Sequence, residues 1–108
     1  MKQITFQEII EKKETGTNHL LIDVREPFEH EEYNIGGLLI PLGEIISKAS
    51  EIPTTIQVIM YCRKGIRSQI AIQRLEDKYG YHNLYNLQGG IEQFKQHPDM
   101  VKMTTKPT

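Results

Sequence analysis

The 108-residue chain sets 13 Lys and Arg against 14 Asp and Glu, a formal net charge of -1, and is 38% apolar and 25% charged. That length holds one domain with no second core, and the near-zero charge argues against general nucleic-acid binding, which needs a positive excess to neutralise phosphates. No apolar run is long enough to span a bilayer, and Met1-Lys2-Gln3-Ile4-Thr5-Phe6-Gln7-Glu8 lacks the apolar stretch of a secretion signal. A cytoplasmic protein with neither nucleic acid nor membrane as partner is expected.

Short apolar runs alternate with segments of helical period. Ile4 to Phe6 reads as a short strand, and Phe6, Ile9, Ile10 and Lys13 follow at helical spacing. Leu20-Leu21-Ile22-Asp23-Val24 is a run ending in charge, as in a strand buried on both faces. Glu26 to Tyr33 reads as a short helix with Pro27 in its first turn, Asn34 to Gly37 as a turn, and Leu38-Leu39-Ile40 as a strand stopped by Pro41. A helix is expected over 43–50 and a turn at Pro53. Ile56 to Tyr61 is the best strand in the chain. Ala71, Ile72, Leu75 and Tyr79 share one face of a helix from Ser68 to Tyr79, which Gly80 stops. Asn83 to Leu87 makes another strand, Gly89-Gly90 a turn, and Ile91 to Gln96 a last helix. The domain is expected over 1–97, with a loose tail over 98–108. Such alternation implies a mostly parallel α/β sheet with helices on both faces and a working site at the strands' carboxyl ends.

One of those ends, Tyr61-Cys62-Arg63-Lys64-Gly65-Ile66-Arg67-Ser68, holds the only cysteine, so no internal disulfide can form. A lone thiol is either buried filler or a reactive group. Three features favour reactivity. Amides of a tight loop opening a helix converge on a concavity suited to an anion. The same field favours a cysteine's thiolate form. Arg63, Lys64 and Arg67 place three cations within five residues of the sulfur. Gly65 permits the positive φ or close backbone approach that such a loop needs. His19, His30, His82 and His97 are scattered without paired ligand spacing, so neither a metal nor a cofactor is expected.

The chain resembles the rhodanese family over most of its length. Leu21-Ile22-Asp23-Val24-Arg25-Glu26-Pro27-Phe28-Glu29 is similar to the family's first signature and Ile35-Gly36-Gly37-Leu38-Leu39-Ile40-Pro41-Leu42 to its second. Val58 to Ser68 resembles the active-site loop, and Asn83 to Ile91 the closing strand and turn. Asn34 stands where the family usually has His, Gly36 where it has Pro, and Phe94 where it commonly has Trp. The resemblance implies a single five-stranded rhodanese-like α/β domain in which Cys62 carries sulfur as a persulfide. It implies that the backbone amides of Arg63, Lys64, Gly65, Ile66, Arg67 and Ser68 hold the persulfide charge. Arg63 and Lys64 are the candidates for binding a small anionic donor such as thiosulfate. Asp23 and Arg25 are given a supporting role, with Asp23 either pairing with Arg67 to fix the loop or capping the following helix.

Two rival functions remain at this stage. A cysteine phosphatase or arsenate reductase resembles a Cys-x5-Arg pattern, one residue longer than the spacing of Cys62 and Arg67; a wider loop is needed to surround a tetrahedral oxyanion. A non-catalytic rhodanese-like module would bind partners only, but inactive relatives typically lack the cysteine. With no second cysteine, a persulfide here needs an external thiol, protein or cyanide acceptor.

Overall fold

In the computed structural model, which describes residues 1–96, the strands join in one sheet. The strands are β1 (Gln3–Ile4), β2 (His19–Asp23), β3 (Leu38–Leu39), β4 (Gln57–Tyr61) and β5 (Leu84–Leu87), in the order β1-β5-β4-β2-β3. Every neighbouring pair is parallel, so the sheet expected to be mostly parallel is wholly so among the described residues. Helices α1 (Phe6–Thr15), α2 (Pro27–Glu32), α3 (Ile66–Tyr79) and α4 (Glu92–Gln96) complete the α/β layers. The tail expected over 98–108, and His97, lie outside the described residues. No helix among those described is long and apolar enough to cross a membrane.

Strand alternation divides the core between two faces. Val58, Met60 and Cys62 pack with Ala71, Ile72 and Leu75 of α3 on one face. Ile59 and Tyr61 pack with Ile9 and Ile10 of α1 and Phe94 of α4 on the other. Burying one such Ile or Phe contributes about 1.5–3 kcal/mol. This period-two register decides the chemistry, because it turns the Cys62 side chain towards the start of α3. Phe94 is buried edge-to-face against Phe6 at 5.7 Å between ring centres, so a phenyl ring fills the place where a Trp was the family expectation.

Three boundaries differ by more than one residue from those expected. The stretch over 43–50 is not a helix but two tight turns, Leu42–Glu44 and Ala49–Glu51, of the three-residue kind. Gly43 and the β-branched pair Ile45-Ile46 are weak helix formers, and the piece is too short to propagate. Helix α3 begins at Ile66, two residues earlier than expected, because Gly65 at φ 98° turns the loop directly into it. Strand β1 ends at Ile4, where Thr5 caps α1 reciprocally with Glu8.

Candidate active site

Cys62 leaves β4 at the sheet's carboxyl edge and is 1% exposed. Its Sγ accepts the Gly65 N–H at 3.1 Å and the Ser68 N–H at 3.4 Å. It also lies 3.4 Å from the Ser68 hydroxyl. Of the six amides expected to hold the persulfide charge, these two bond Sγ itself; those of Arg63, Lys64, Ile66 and Arg67 make no hydrogen bond to Sγ. The geometry is that of a short loop closed on one atom at a helix N-terminus, where amide dipoles favour negative charge.

The Gly89-Gly90 turn shapes this loop from behind. Ile91 N–H donates to the Cys62 carbonyl at 2.9 Å and Glu92 N–H to that of Arg63 at 3.2 Å. Both carbonyls are thereby held towards the turn and α4, leaving the loop's interior to N–H groups.

The loop cations are not all free. Arg63 Nε donates to Glu92 at 3.0 Å from an exposed position, whereas Arg67 makes a two-pronged bridge to Glu29 of α2 at 2.7 and 3.0 Å. The alternative in which Asp23 pairs with Arg67 is therefore corrected. Asp23 is fully buried and holds Arg25, with bonds of 2.9 Å to Nε and 2.8 Å to Nη2, and His30 at 2.9 Å. A single intervening residue, Val24, places Arg25 beside Asp23, closer than Arg67 on another layer. Nor does Asp23 cap α2, whose N-cap is Glu26. Arg25 also donates to the Tyr33 carbonyl at 2.6 Å, tying the end of β2 to the end of α2.

Asn34, standing where the family His was expected, donates to the His30 carbonyl and accepts from Gly36 N–H, both at 2.8 Å. Gly36 follows at φ 98°, a conformation closed to proline. Beside the loop a cleft of about 300 Å³ opens, lined by Arg25, Phe28, Tyr33, Arg63, Ile91 and Lys95 among others. Sequence reasoning missed Glu29, His30, Asn86 and Glu92. Asn86 had a signal, since it is a polar residue sharing the core-facing side of β5 with Leu84.

The Arg67 bridge lowers the Glu29 carboxyl from an ordinary 4.5 to about 2, against the opposing effect of burial. A depressed carboxyl stabilises the fold fully above its unfolded value and loses that contribution as pH falls through the folded one. Glu29→Gln is therefore expected to melt a few degrees below the parent at neutral pH, with the gap closing as pH falls from 4.5 towards 2. Thermal melts at several pH values check this; a gap independent of pH would mean that packing, not charge, holds α2 to the loop.

The rhodanese-like domain profile matches residues 5–97. The chain is 43% identical over 75 residues to the uncharacterized protein YqhL of Bacillus subtilis, covering 68% of this chain and 59% of that one. It is 39% identical over 79 residues to a sulfurtransferase of Allochromatium vinosum, covering 72% and 73%. The crystal structure of the Saccharomyces cerevisiae single-domain sulfurtransferase RDL2 matches with a TM-score of 0.74 at 25% identity, over 97% of this chain and 95% of that one. Larger adenylyltransferase and sulfurtransferase proteins also match, the chain spanning only 18% of one from Drosophila ananassae and 26% of one from Mycobacterium tuberculosis. With the profile covering strands β2 to β5 and the cysteine loop, the chain belongs to the rhodanese-like domain family.

Proposed function

We propose that the chain is a cytoplasmic sulfurtransferase in which Cys62 carries a sulfane sulfur from thiosulfate, or from a protein persulfide, to a thiol or cyanide acceptor. The observation that carries this reading is the double N–H cradle on Sγ from Gly65 and Ser68. A closed cradle suits one sulfur atom better than a tetrahedral oxyanion. Sulfurtransferase-named relatives point the same way.

In the first step the Cys62 thiolate attacks the outer sulfur of thiosulfate. The sulfur–sulfur bond of the donor breaks, and sulfite departs with the electron pair. In the second step an acceptor nucleophile attacks the outer sulfur of the persulfide, and Sγ regains its electron pair as thiolate. Splitting the transfer in two lets one nucleophile serve donor and acceptor in turn. Loop amides that make no bond to Sγ are available to the outer sulfur, prearranged before charge develops. Arg63 and Lys64, at the exposed rim, attract the dianionic donor, and Arg25 and Asp23 brace the neighbouring strand end.

Intact mass spectrometry of the purified protein, before and after thiosulfate, tests the proposal. A gain of one sulfur atom that a reductant reverses is the expected result. If neither thiosulfate nor a cysteine desulfurase charged with sulfur produces that gain, the binding-module reading takes its place.

A further inference from the structure

Behind the loop lies a buried polar pair that the two steps above do not use. Ser68 and Asn86 are 0% and 1% exposed in an otherwise apolar layer. The Ser68 hydroxyl donates to Asn86 Oδ1. Asn86 Nδ2 in turn donates to Gln3 Oε1 at 2.9 Å, which fixes the amide with its oxygen towards the serine. That oxygen can only accept, and a hydroxyl has one hydrogen to give. With its hydrogen committed to Asn86, Ser68 presents only lone pairs to Cys62 Sγ, 3.4 Å away. The contact is then S–H to Oγ, with sulfur as donor. A protonated sulfur is satisfied there, giving one hydrogen bond and accepting two. Once its proton leaves, the same arrangement sets a serine lone pair against an anion.

We propose that Asn86 is a positioning residue that holds the Ser68 hydroxyl away from the sulfur, so that Ser68 becomes a third donor to the anionic sulfur only by turning from Asn86 to Sγ. Charged groups surround the pair without replacing it. Arg67 on α3 interacts electrostatically with both Cys62 and Asp23. Asp23 and Arg25 bind each other at the end of β2, Glu29 of α2 holds Arg67, and Arg63 is paired with Glu92 of α4. Lys64 stands exposed in the loop, and the ammonium of Lys2, just before β1, is bound to the His82 carbonyl. Exchanging Asn86 for an uncharged residue alters none of these charges.

The test is the alkylation rate of Cys62 by iodoacetamide in the full chain, followed across pH, which needs no sulfur transfer and so fails independently of the proposed function. Asn86→Leu frees the hydroxyl to turn, and alkylation at neutral pH is expected to rise about fivefold, the worth of one ordinary hydrogen bond. The pH profile moves to lower pH while its alkaline plateau stays put, because access to the sulfur is unchanged. In a Ser68→Ala background the same substitution is expected to do nothing. Gln3→Ala supplies a gentler variant at an exposed side chain: the freed amide can present its NH2 to Ser68, and a roughly twofold rise in the same direction follows. A raised plateau, an equal effect without Ser68, or no rise in both Asn86→Leu and Gln3→Ala overturns the proposal.

Discussion

Cys62→Ser is expected to abolish sulfur transfer, by about 10⁴-fold or more, the scale seen when a covalent nucleophile is removed. A serine oxygen in the same place would still accept the Gly65 and Ser68 amides and face the Ser68 hydroxyl, so the loop keeps its shape. What disappears is an ionisable sulfur. Among the described residues no histidine or carboxylate is hydrogen-bonded to Sγ, so a substituted hydroxyl has no base to take its proton. The melting temperature is expected to stay near the parent's, because the change is close to isosteric and leaves no unpaired donor. Steady-state cyanide assays alongside thermal melts separate the two effects. A variant that melts normally and still transfers sulfur would sink covalent catalysis outright, since the chain has no second cysteine to carry it.

What made the architecture legible was punctuation. Gly80, Pro41 and Gly89-Gly90 bound the runs that became α3, β3 and the turn behind the loop, and Leu20 to Val24 announced a buried strand to within a residue. The position of the cysteine at a strand–helix junction was equally plain. The ion pairs were not. Glu29 lies 38 positions from Arg67 and Glu92 lies 29 from Arg63, and no local period links them. Asp23 appealed as a partner for Arg67 because both sit at strand or helix ends on the working edge. The backbone instead offers Asp23 a nearer guanidinium two residues on, and the shorter closure wins. Over 43–50, Ile45 and Ala49 stand four residues apart, a helical spacing that two tight turns also satisfy while burying both.

Gly90→Ala is expected to cost about 10² in activity, and Gly89→Ala much less, although both glycines sit in the left-handed region at φ 70° and 78°. The backbone strain of an alanine there, about 1–2 kcal/mol, is common to both. Their surroundings differ. A methyl on Gly89 meets the far end of the Gln93 side chain, which can swing aside. A methyl on Gly90 would stand 2.5 Å from the Arg63 carbonyl carbon and 2.6 Å from Lys64 N, and closer still to the Arg63 oxygen. Those atoms are the backbone of the sulfur loop. They cannot yield without moving the peptide that Glu92 N–H holds and, one residue earlier, the carbonyl that Ile91 N–H holds. A shift of that peptide turns the Gly65 amide off its line to Sγ, and a displacement of about 1 Å is worth two orders of magnitude in a prearranged site. Activity of the two variants, each normalised to the folded fraction from its melt, makes the comparison. Equal losses would assign the effect to strain in the turn; a loss confined to Gly90→Ala would show that the turn's second glycine exists to let the sulfur loop lie against it.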